Sequence, residues 1–377
     1  MIYNEFKGLK ISALGMGCMR LPYTGGDSKN IDKDATREMI AYALENGINY
    51  FDTAWVYHGG MSEAVMGEIL SEYPRDSFYF ATKFSRWDEG IKGKIDEIFE
   101  AQLKRCKTDY FDFYMFHCVN ENNIDPYTDN DLGLFDYLIK QKENGRIKHL
   151  GFSTHGSLHT MKRFLDTYGK DIEFCQIQIN WLDWSFQKAK EKVELVSSYG
   201  VPVWVMEPVR GGRIASLEPD QESRLKSLRP NASIPEWAFR FIQTIPEVVV
   251  TLSGMSTLDQ IKENIATYES LQPLNEREMQ TLSEISSEII AKTAVPCTSC
   301  RYCVDTCPMK LDIPELLKRY NEHAYSDAAS IPATSLDGID CDKTPSACLG
   351  CASCEELCPQ GIKISDIMAK FRDRLSN

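Results

Sequence analysis

The chain has 377 residues, 43% of them apolar, and a formal net charge of −13. This length and composition predict a large globular domain with room for a second, smaller one. The acidic excess argues against nucleic acid or an anionic membrane as a partner, because phosphate binding needs clustered Lys and Arg. The chain has no apolar stretch of membrane-spanning length, and its opening MIYNEFKGLK lacks the apolar core of a secretory signal, so we expect a cytoplasmic protein.

Short apolar strands alternate with amphipathic helical segments up to about residue 255. The predicted strands lie at residues 12–18, 48–53, 78–84, 111–117, 149–154, 174–180, 202–207 and 248–255. Eight βα units in succession favour a closed parallel barrel, because an open sheet of that width would need edge strands and a reversal of strand order. The sequence therefore predicts an α/β fold, with a (β/α)8 TIM barrel over residues 1–292.

Four polar residues lie at or just after the ends of consecutive predicted strands. Asp52 ends the second strand, Tyr57 follows in its loop, Lys83 ends the third and His117 ends the fourth. Enzymes with this fold carry their chemistry at that end of the barrel. Asp52 would fix Lys83 by an ion pair, and Lys83 would lower the pKa of Tyr57 by about one to three units. With His117 orienting a carbonyl oxygen, the set predicts a proton-donating site for carbonyl reduction.

Each of these residues also has a structural explanation. Asp52 and Lys83 could form a structural ion pair, Tyr57 could be a loop aromatic, and His117 could be a hydrogen-bonded core histidine. For any one residue alone the structural interpretation is favoured, since perturbed ionisable pairs are often structural. Four complementary roles on neighbouring strand ends favour the catalytic interpretation.

A segment with two glycines, MEPVRGG, follows the predicted seventh strand. It runs from Met206 through Pro208 to Gly212 and offers a flexible backbone and one cation. TIM barrels frequently bind phosphate with the loops after strands seven and eight, and this chain has no strand-to-helix GxGxxG motif. The position predicts a phosphate-binding loop, although such glycines are also common in ordinary turns.

The tail contains two four-cysteine runs, each followed by proline. They comprise Cys297, Cys300, Cys303 and Cys307, then Cys348, Cys351, Cys354 and Cys358. This is the bacterial ferredoxin spacing for [4Fe–4S] clusters, in which the fourth cysteine usually serves the other cluster. We therefore expect two clusters, one on Cys297, Cys300, Cys303 and Cys358, the other on Cys348, Cys351, Cys354 and Cys307.

Zinc and disulfides explain the cysteine runs less well. Structural zinc uses separated cysteine pairs, often with histidine, and disulfides require an oxidising compartment. The runs are about forty residues apart, and helices are predicted at 313–320 and 364–375. Residues 293–377 are thus predicted to form a small α-helical ferredoxin-like domain with two clusters.

Seven barrel segments resemble the aldo-keto reductase family, and with the cysteine-rich tail the chain resembles its iron–sulfur branch. The segments are GMGCM at 15–19, FDTAWVY at 51–57, ATKF at 81–84, FYMFH at 113–117, GFST at 151–154, QIQIN at 176–180 and SGMSTLDQIKEN at 253–264. The resemblance implies that Asp52, Tyr57, Lys83 and His117 are the catalytic tetrad, with Tyr57 as general acid.

The resemblance also implies a nicotinamide cofactor. The residues that would contact its nicotinamide are Cys18, Met19, Ser153 and Gln176, and the adjacent Gly17 and Thr154 are also expected to bind the cofactor. The residues that would contact its adenosine phosphate end are Gly254, Ser256, Gln260, Glu263 and Asn264. Met206 replaces an aromatic residue that stacks on the nicotinamide in many relatives, and Gln260 replaces an arginine that binds the 2′-phosphate. NADPH is expected, and NADH is the alternative.

Two functions from different classes follow from the sequence. The first is an NAD(P)H-dependent oxidoreductase that interconverts a small-molecule carbonyl and an alcohol, with a ferredoxin or flavoprotein as electron partner for the clusters. The second is an electron-transfer or redox-sensing subunit whose barrel binds cofactor but has little reductase activity. In either case the clusters could instead be structural, since metal sites often supply folding energy.

Overall fold

A computed structural model describes residues 1–85, 94–121, 123–128, 132–293, 295, 297, 302–324, 331, 333–336, 338–356, 358 and 362–375. The chain divides into two compact units, Met1–Thr281 and Leu282–Asn377. The division falls inside a helix that runs over Glu276–Thr293. The domain boundary expected between residues 292 and 293 stays a prediction.

The first unit is a closed barrel of parallel strands, as the sequence predicted. The strands, in chain order, are β3 (Leu14–Gly17), β4 (Tyr50–Asp52), β5 (Tyr79–Phe84), β6 (Phe111–Val119), β7 (Ile147–Thr154), β8 (Phe174–Gln178), β9 (Val203–Met206) and β10 (Val248–Ser253). Neighbours in sequence are neighbours in the barrel, and β10 pairs with β3 to close it. Since all strands are parallel, their carboxyl ends meet at one rim.

Helices cover the outside of this barrel. They are α1 (Lys33–Glu45), α2 (Ser62–Leu70), α3 (Ile95–Arg105), α4 (Ile124–Thr128), α5 (Leu134–Glu143), α6 (Leu158–Tyr168), α7 (Asp183–Phe186), α8 (Ala189–Ser198), α9 (Pro219–Leu228), α10 (Ile234–Ile242) and α11 (Leu258–Thr267). The next helix, α12 (Glu276–Thr293), contains the division between the two units. Asp32, Ser157 and Ser233 cap α1, α6 and α10 by accepting a hydrogen bond from a first-turn backbone N–H.

An antiparallel hairpin precedes the barrel and was not predicted. Its strands are β1 (Tyr3–Phe6) and β2 (Leu9–Ser12), joined at Lys7 and Gly8, which both have positive φ. Phe6 packs 5.0 Å, between ring centroids, from Trp204 and belongs to the same buried cluster as Phe113. Because Phe113 lies near the start of its strand, the hairpin covers the end of the barrel opposite to the carboxyl rim.

The second unit is helical in its described part. It contains α13 (Tyr302–Asp305), α14 (Ile313–Ala324), α15 (Ser353–Glu356) and α16 (Ile364–Leu375). Its core combines aliphatic and aromatic side chains, among them Leu316 and Phe371, with three buried cysteines, Cys303, Cys307 and Cys354. Among the helices that the structure describes, none has the length and apolar character needed to cross a bilayer.

Candidate functional site

The carboxyl rim of the barrel brings Asp52, Lys83 and Tyr57 together. Lys83 Nζ donates hydrogen bonds to Asp52 Oδ1 at 2.5 Å and to the Thr53 carbonyl at 2.8 Å, and it lies 3.1 Å from the Tyr57 hydroxyl. Lys83 and Asp52 are 1% and 2% exposed. Each charge of this buried pair compensates the other, and removal of one residue would leave the other charge buried without a partner. The pairing with Asp52 therefore holds the Lys83 ammonium beside the Tyr57 phenol.

Burial determines the direction in which the pKa of Tyr57 shifts. The sequence predicted a lowered pKa, and that prediction is wrong for this structure. Burial raises the pKa of Tyr57, and the Lys83 ammonium offsets only part of that increase. Burial alone would lower the pKa of Lys83, but the charges of Asp52 and Tyr57 and its hydrogen bonds to them raise it. Tyr57 therefore keeps its proton at neutral pH, and Lys83 keeps its charge.

His117 completes the predicted tetrad as a neutral imidazole. Its ring centroid lies 5.9 Å from that of Tyr57, and the side chain is buried. Burial, followed by the nearby Lys83 and His155, holds the pKa of His117 well below its usual value. Its Nδ1 lies 2.6 Å from the hydroxyl of Ser85, a buried residue that the sequence analysis missed.

A buried polar network outside the barrel supports the loop that carries Tyr57. Glu63 accepts hydrogen bonds from Thr82 at 2.7 Å and from Gln102 at 2.6 Å, and Gln102 also donates to the Lys83 carbonyl at 3.1 Å. Arg105 pairs with Glu63 at 3.5 Å, and its guanidinium carbon lies 3.7 Å from the ring centroid of Trp55. Trp55, two residues before Tyr57, is thus held by a cation–π contact.

Three residues expected to hold the nicotinamide lie on β7 and β8. Gln176 is 2% exposed, and its Oε1 has no hydrogen-bond partner among the described residues. A buried amide oxygen without a partner fits a ligand that brings its own donor. Ser153 accepts a hydrogen bond from Cys118 N–H at 2.8 Å, and Thr154 donates to the Val119 carbonyl at 2.8 Å. Thr154 therefore also shapes the backbone beyond His117.

The end of β3 supplies a cation that the sequence analysis missed. After Gly17, Cys18 is buried and donates its N–H to the Asp52 carbonyl at 2.8 Å, while Met19 is 59% exposed. The Arg20 side chain extends between the loops after β9 and β10. A Cβ on Gly211 would lie 2.7 Å from Arg20 Nη2, and one on Gly254 would lie 3.3 Å from its aliphatic carbons.

The MEPVRGG segment places its own arginine differently from expectation. Arg210 is buried and forms an ion pair with Asp183 at 3.0 Å, so its charge is matched inside the protein. Met206 ends β9, Pro208 is buried, and Gly212 is exposed with φ 93°. Glu207 beside them has a raised pKa because of burial and the nearby Asp183, although Arg210 and Arg20 oppose that increase.

The loop and helix after β10 hold the remaining cofactor candidates. Ser256 donates its hydroxyl hydrogen bond to the Arg20 carbonyl and its N–H to Gln260, at 2.8 Å and 2.7 Å. Asn264 is buried and donates to Ser253 at 3.1 Å. Glu263 instead accepts a hydrogen bond from the Ser233 hydroxyl. The structure thus brings Ser256 and Gln260 to Arg20 and engages Glu263 with α10.

The tail brings together cysteines from both runs. Cys307, Cys348, Cys351 and Cys354 line one pocket that is partly open to solvent. The rest of the lining is largely apolar, with Leu311, Ile313 and Met368 among its residues. This set joins three cysteines of the second run with the last of the first. Thiols around an apolar pocket fit a four-iron cube, in which each thiolate binds a different iron.

The other four cysteines of the two runs are only partly described. Cys303 is buried in the tail core, and the half-buried Cys297 and Cys358 pack against it. Cys300 lies outside the described residues. Within those residues, no three Cys, His, Asp or Glu side chains surround a point where a single metal ion could bind.

Comparison with known proteins supports the predicted family of the barrel and the predicted cluster domain of the tail. The aldo/keto reductase family matches residues 13–287, and the 4Fe-4S dicluster domain matches residues 296–362. The chain is 25% identical over 313 residues to the uncharacterized oxidoreductase YqkF of Bacillus subtilis, covering 75% of this chain and 95% of that protein. It is 24% identical to the NADH-specific methylglyoxal reductase of Escherichia coli, covering 68% and 90%.

A solved structure extends the likeness to three dimensions. The holo form of aldo-keto reductase AKR11C1 from Bacillus halodurans superposes with a TM-score of 0.60 at 28% identity, covering 76% of this chain and 96% of that one. The family match spans the closed barrel, including the buried Asp52 and Lys83 and the half-buried Tyr57, and the dicluster match spans most of the cysteine-lined tail. The chain is thus an oxidoreductase that belongs to the aldo/keto reductase family and carries a C-terminal 4Fe-4S dicluster domain.

Proposed function

We propose that the barrel is an NADPH-dependent carbonyl reductase in which Tyr57 is the general acid. The observation that carries this proposal is the contact of the buried Lys83 Nζ with both Asp52 and the Tyr57 hydroxyl. The phenol stays protonated at neutral pH because burial raises its pKa, and the adjacent ammonium stabilises the phenolate that proton donation leaves behind.

Tyr57, His117 and Lys83 would have different roles at the carbonyl oxygen of the substrate. NADPH, when bound, supplies the hydride that reduces the carbonyl carbon. Tyr57 donates its proton to the oxygen as negative charge develops there. If Ser85 donates its hydroxyl hydrogen to His117 Nδ1, the neutral ring carries its proton on Nε2 and can donate to the same oxygen. Lys83 stays charged throughout and compensates the phenolate, so that no isolated charge is buried.

The cofactor would be held by both sides of the rim. Gln176, whose amide oxygen has no hydrogen-bond partner within the described part of the chain, and the buried Ser153 suit the nicotinamide amide. Arg20 and the adjacent Ser256 and Gln260 suit the phosphate end. Arg20 would supply the positive charge that the sequence predicted from Arg210 in MEPVRGG. We propose NADPH as the preferred cofactor and NADH as the alternative.

The tail would hold two [4Fe–4S] clusters with exchanged fourth ligands. The shared pocket of Cys307, Cys348, Cys351 and Cys354 supports one such set, and Cys297, Cys300, Cys303 and Cys358 would form the other. Such clusters pass single electrons. We propose that they exchange electrons in the cytoplasm with a ferredoxin or flavoprotein.

Aldehyde-dependent oxidation of NADPH by the anaerobically purified full chain tests the reductase. We expect turnover in the parent, a loss of about 10²–10⁴-fold in kcat for Tyr57→Phe, and parent activity for Tyr268→Phe, which removes the hydroxyl of a buried tyrosine away from the site. Tyr57→Phe behaving like the parent would end the proposal. Cluster reduction by NADPH without carbonyl turnover would favour the electron-transfer subunit instead.

A further inference from the structure

His58, the residue after Tyr57, has a backbone conformation that normally favours glycine. Its φ and ψ are 55° and 40°, in the left-handed region. For an L-residue with a Cβ this region costs about 1–2 kcal/mol relative to the right-handed one. The side chain is nevertheless 7% exposed. An imidazole retained in a buried, strained turn must be held by its contacts.

The two ring nitrogens of His58 make two different hydrogen bonds. Nε2 accepts from the Leu21 backbone N–H at 3.1 Å, and Nδ1 lies 2.7 Å from the Ser28 carbonyl oxygen. A backbone N–H can only donate and a carbonyl can only accept, so the bonds require the neutral tautomer with its proton on Nδ1. Both partners belong to the loop between β3 and α1.

This loop, residues 18–32, is a small folded unit. The Tyr23–Ile31 bridge and the bond from Asp32 N–H to the Pro22 carbonyl close it on itself. Near its base, the Arg20 carbonyl accepts a hydrogen bond from the Ser256 hydroxyl. Its tip packs on the catalytic turn, because a Cβ on Gly59 would lie 2.6 Å from Lys29 Cε. His58 therefore binds the loop at its base, Leu21, and near its tip, Ser28.

We propose that His58 is a positioning residue that docks the 18–32 loop against the turn carrying Tyr57, and so aligns the general acid with the Arg20 side of the cofactor site. The inference rests on the proposed reductase function for its kinetic consequences, but the docking itself does not. Loss of the imidazole would free both the turn and the loop. We expect kcat to fall and the KM for NADPH to rise together.

The kinetic test compares His58→Gly with a control of the same backbone geometry. Lys188 has φ 55° and ψ 39°, is exposed, and is the N-cap residue directly before α8. Both glycine variants relieve the left-handed strain, but only His58→Gly removes the two loop bonds. We expect kcat/KM for NADPH to fall at least about tenfold in His58→Gly, since a misplacement of about 1 Å can cost about 10²-fold. Lys188→Gly should match the parent.

Hydrogen exchange provides a readout that needs no turnover. Peptides covering residues 19–31 should exchange faster in His58→Gly than in the parent or Lys188→Gly, as the Leu21 N–H loses its acceptor. The positioning role would be overturned if His58→Gly exchanged like the parent. It would also be overturned if His58→Gly exchanged faster but kept the parent's kcat and KM for NADPH. His58→Asn, which suits the left-handed region and can still donate to Ser28, replaces the glycine variant if that variant does not fold. A parent chain with no carbonyl turnover would refute the reductase proposal. Hydrogen exchange would still test whether His58 docks the 18–32 loop.

Discussion

The barrel and the tail hold their functional side chains in different ways. In the barrel, Lys83 is surrounded by protein acceptors and a phenol, so its position is fixed by the chain alone. In the tail, Cys303, Cys307 and Cys354 are themselves members of the core. Because these thiols lie inside the core, iron bound to them would contribute to the folding free energy of the tail. The comparison teaches that the barrel side chains are held by one another, whereas the tail cysteines lie in a core that they would share with the proposed clusters.

The largest expected effect is loss of the tail's fold when iron is removed. Anaerobic chelation, or Cys354→Ser, should expose residues 302–375 to protease while β6 and its neighbours stay protected, because structural metal sites supply folding energy of about 10 kcal/mol. Limited proteolysis with mass spectrometry measures this. Cys106→Ser, which changes a buried barrel thiol, is the control. A tail that resists protease equally well without iron would break the comparison.

Next in size is the removal of the ammonium from the barrel site. Lys83→Met should lower kcat by about 10²–10⁴-fold, because Tyr57 loses the charge that stabilises its phenolate. It should also lower the free energy of unfolding of the barrel by about 3–5 kcal/mol, because Asp52 is left buried without a counter-charge. Steady-state kinetics and denaturation measure the two effects. The exposed Lys104→Met serves as control, and an unchanged kcat would contradict the role of Lys83.

A smaller effect is expected at Arg20. Arg20→Gln removes the cation between Gly211 and Gly254, and charge-assisted hydrogen bonds contribute about 1.5–3 kcal/mol. The KM for NADPH should therefore rise about 10- to 100-fold while kcat changes little. Arg277→Gln, at an exposed position on α12, should have no effect on either constant. A parent-like KM in Arg20→Gln would mean that the phosphate end is bound elsewhere.

The smallest effect is a pH dependence of stability from His117. Its pKa in the folded state lies well below the unfolded value, so below about pH 6.5 the unfolded chain binds a proton that the folded chain excludes. Acidification should thus destabilise the parent by up to about 1.4 kcal/mol per pH unit through this residue. His117→Gln should lose less stability than the parent between pH 7 and pH 5. Parallel stability curves for the two proteins would show that His117 is not held neutral.

Much of the fold and of the tetrad could be predicted because both follow from local pattern. Strand periodicity identified all eight barrel strands, and the positions of Asp52, Lys83 and His117 at strand ends indicated the rim. The hairpin over Tyr3–Ser12 was missed because its strands are only four residues long and partly exposed. Short, half-exposed strands give little periodic signal.

The rest of the site depends on partners that are distant in sequence. Arg20 lies against Gly211 and Gly254, Ser85 against His117, and His58 against Leu21 and Ser28. No spacing rule connects such residues. The predicted direction of the Tyr57 pKa shift was wrong for a related reason. The sequence indicated the nearby charge of Lys83, but it did not show the burial whose effect on the pKa is larger.

The most direct test of the central claim is the transfer of deuterium from NADPH labelled at the reactive C4 position. With the full chain, an aldehyde substrate and labelled NADPH, the account predicts an alcohol that carries the deuterium on its carbinol carbon, formed by the parent and nearly abolished in Tyr57→Phe. Alcohol formed without the label, or equal label transfer in Tyr57→Phe, would contradict a hydride transfer completed by the Tyr57 proton.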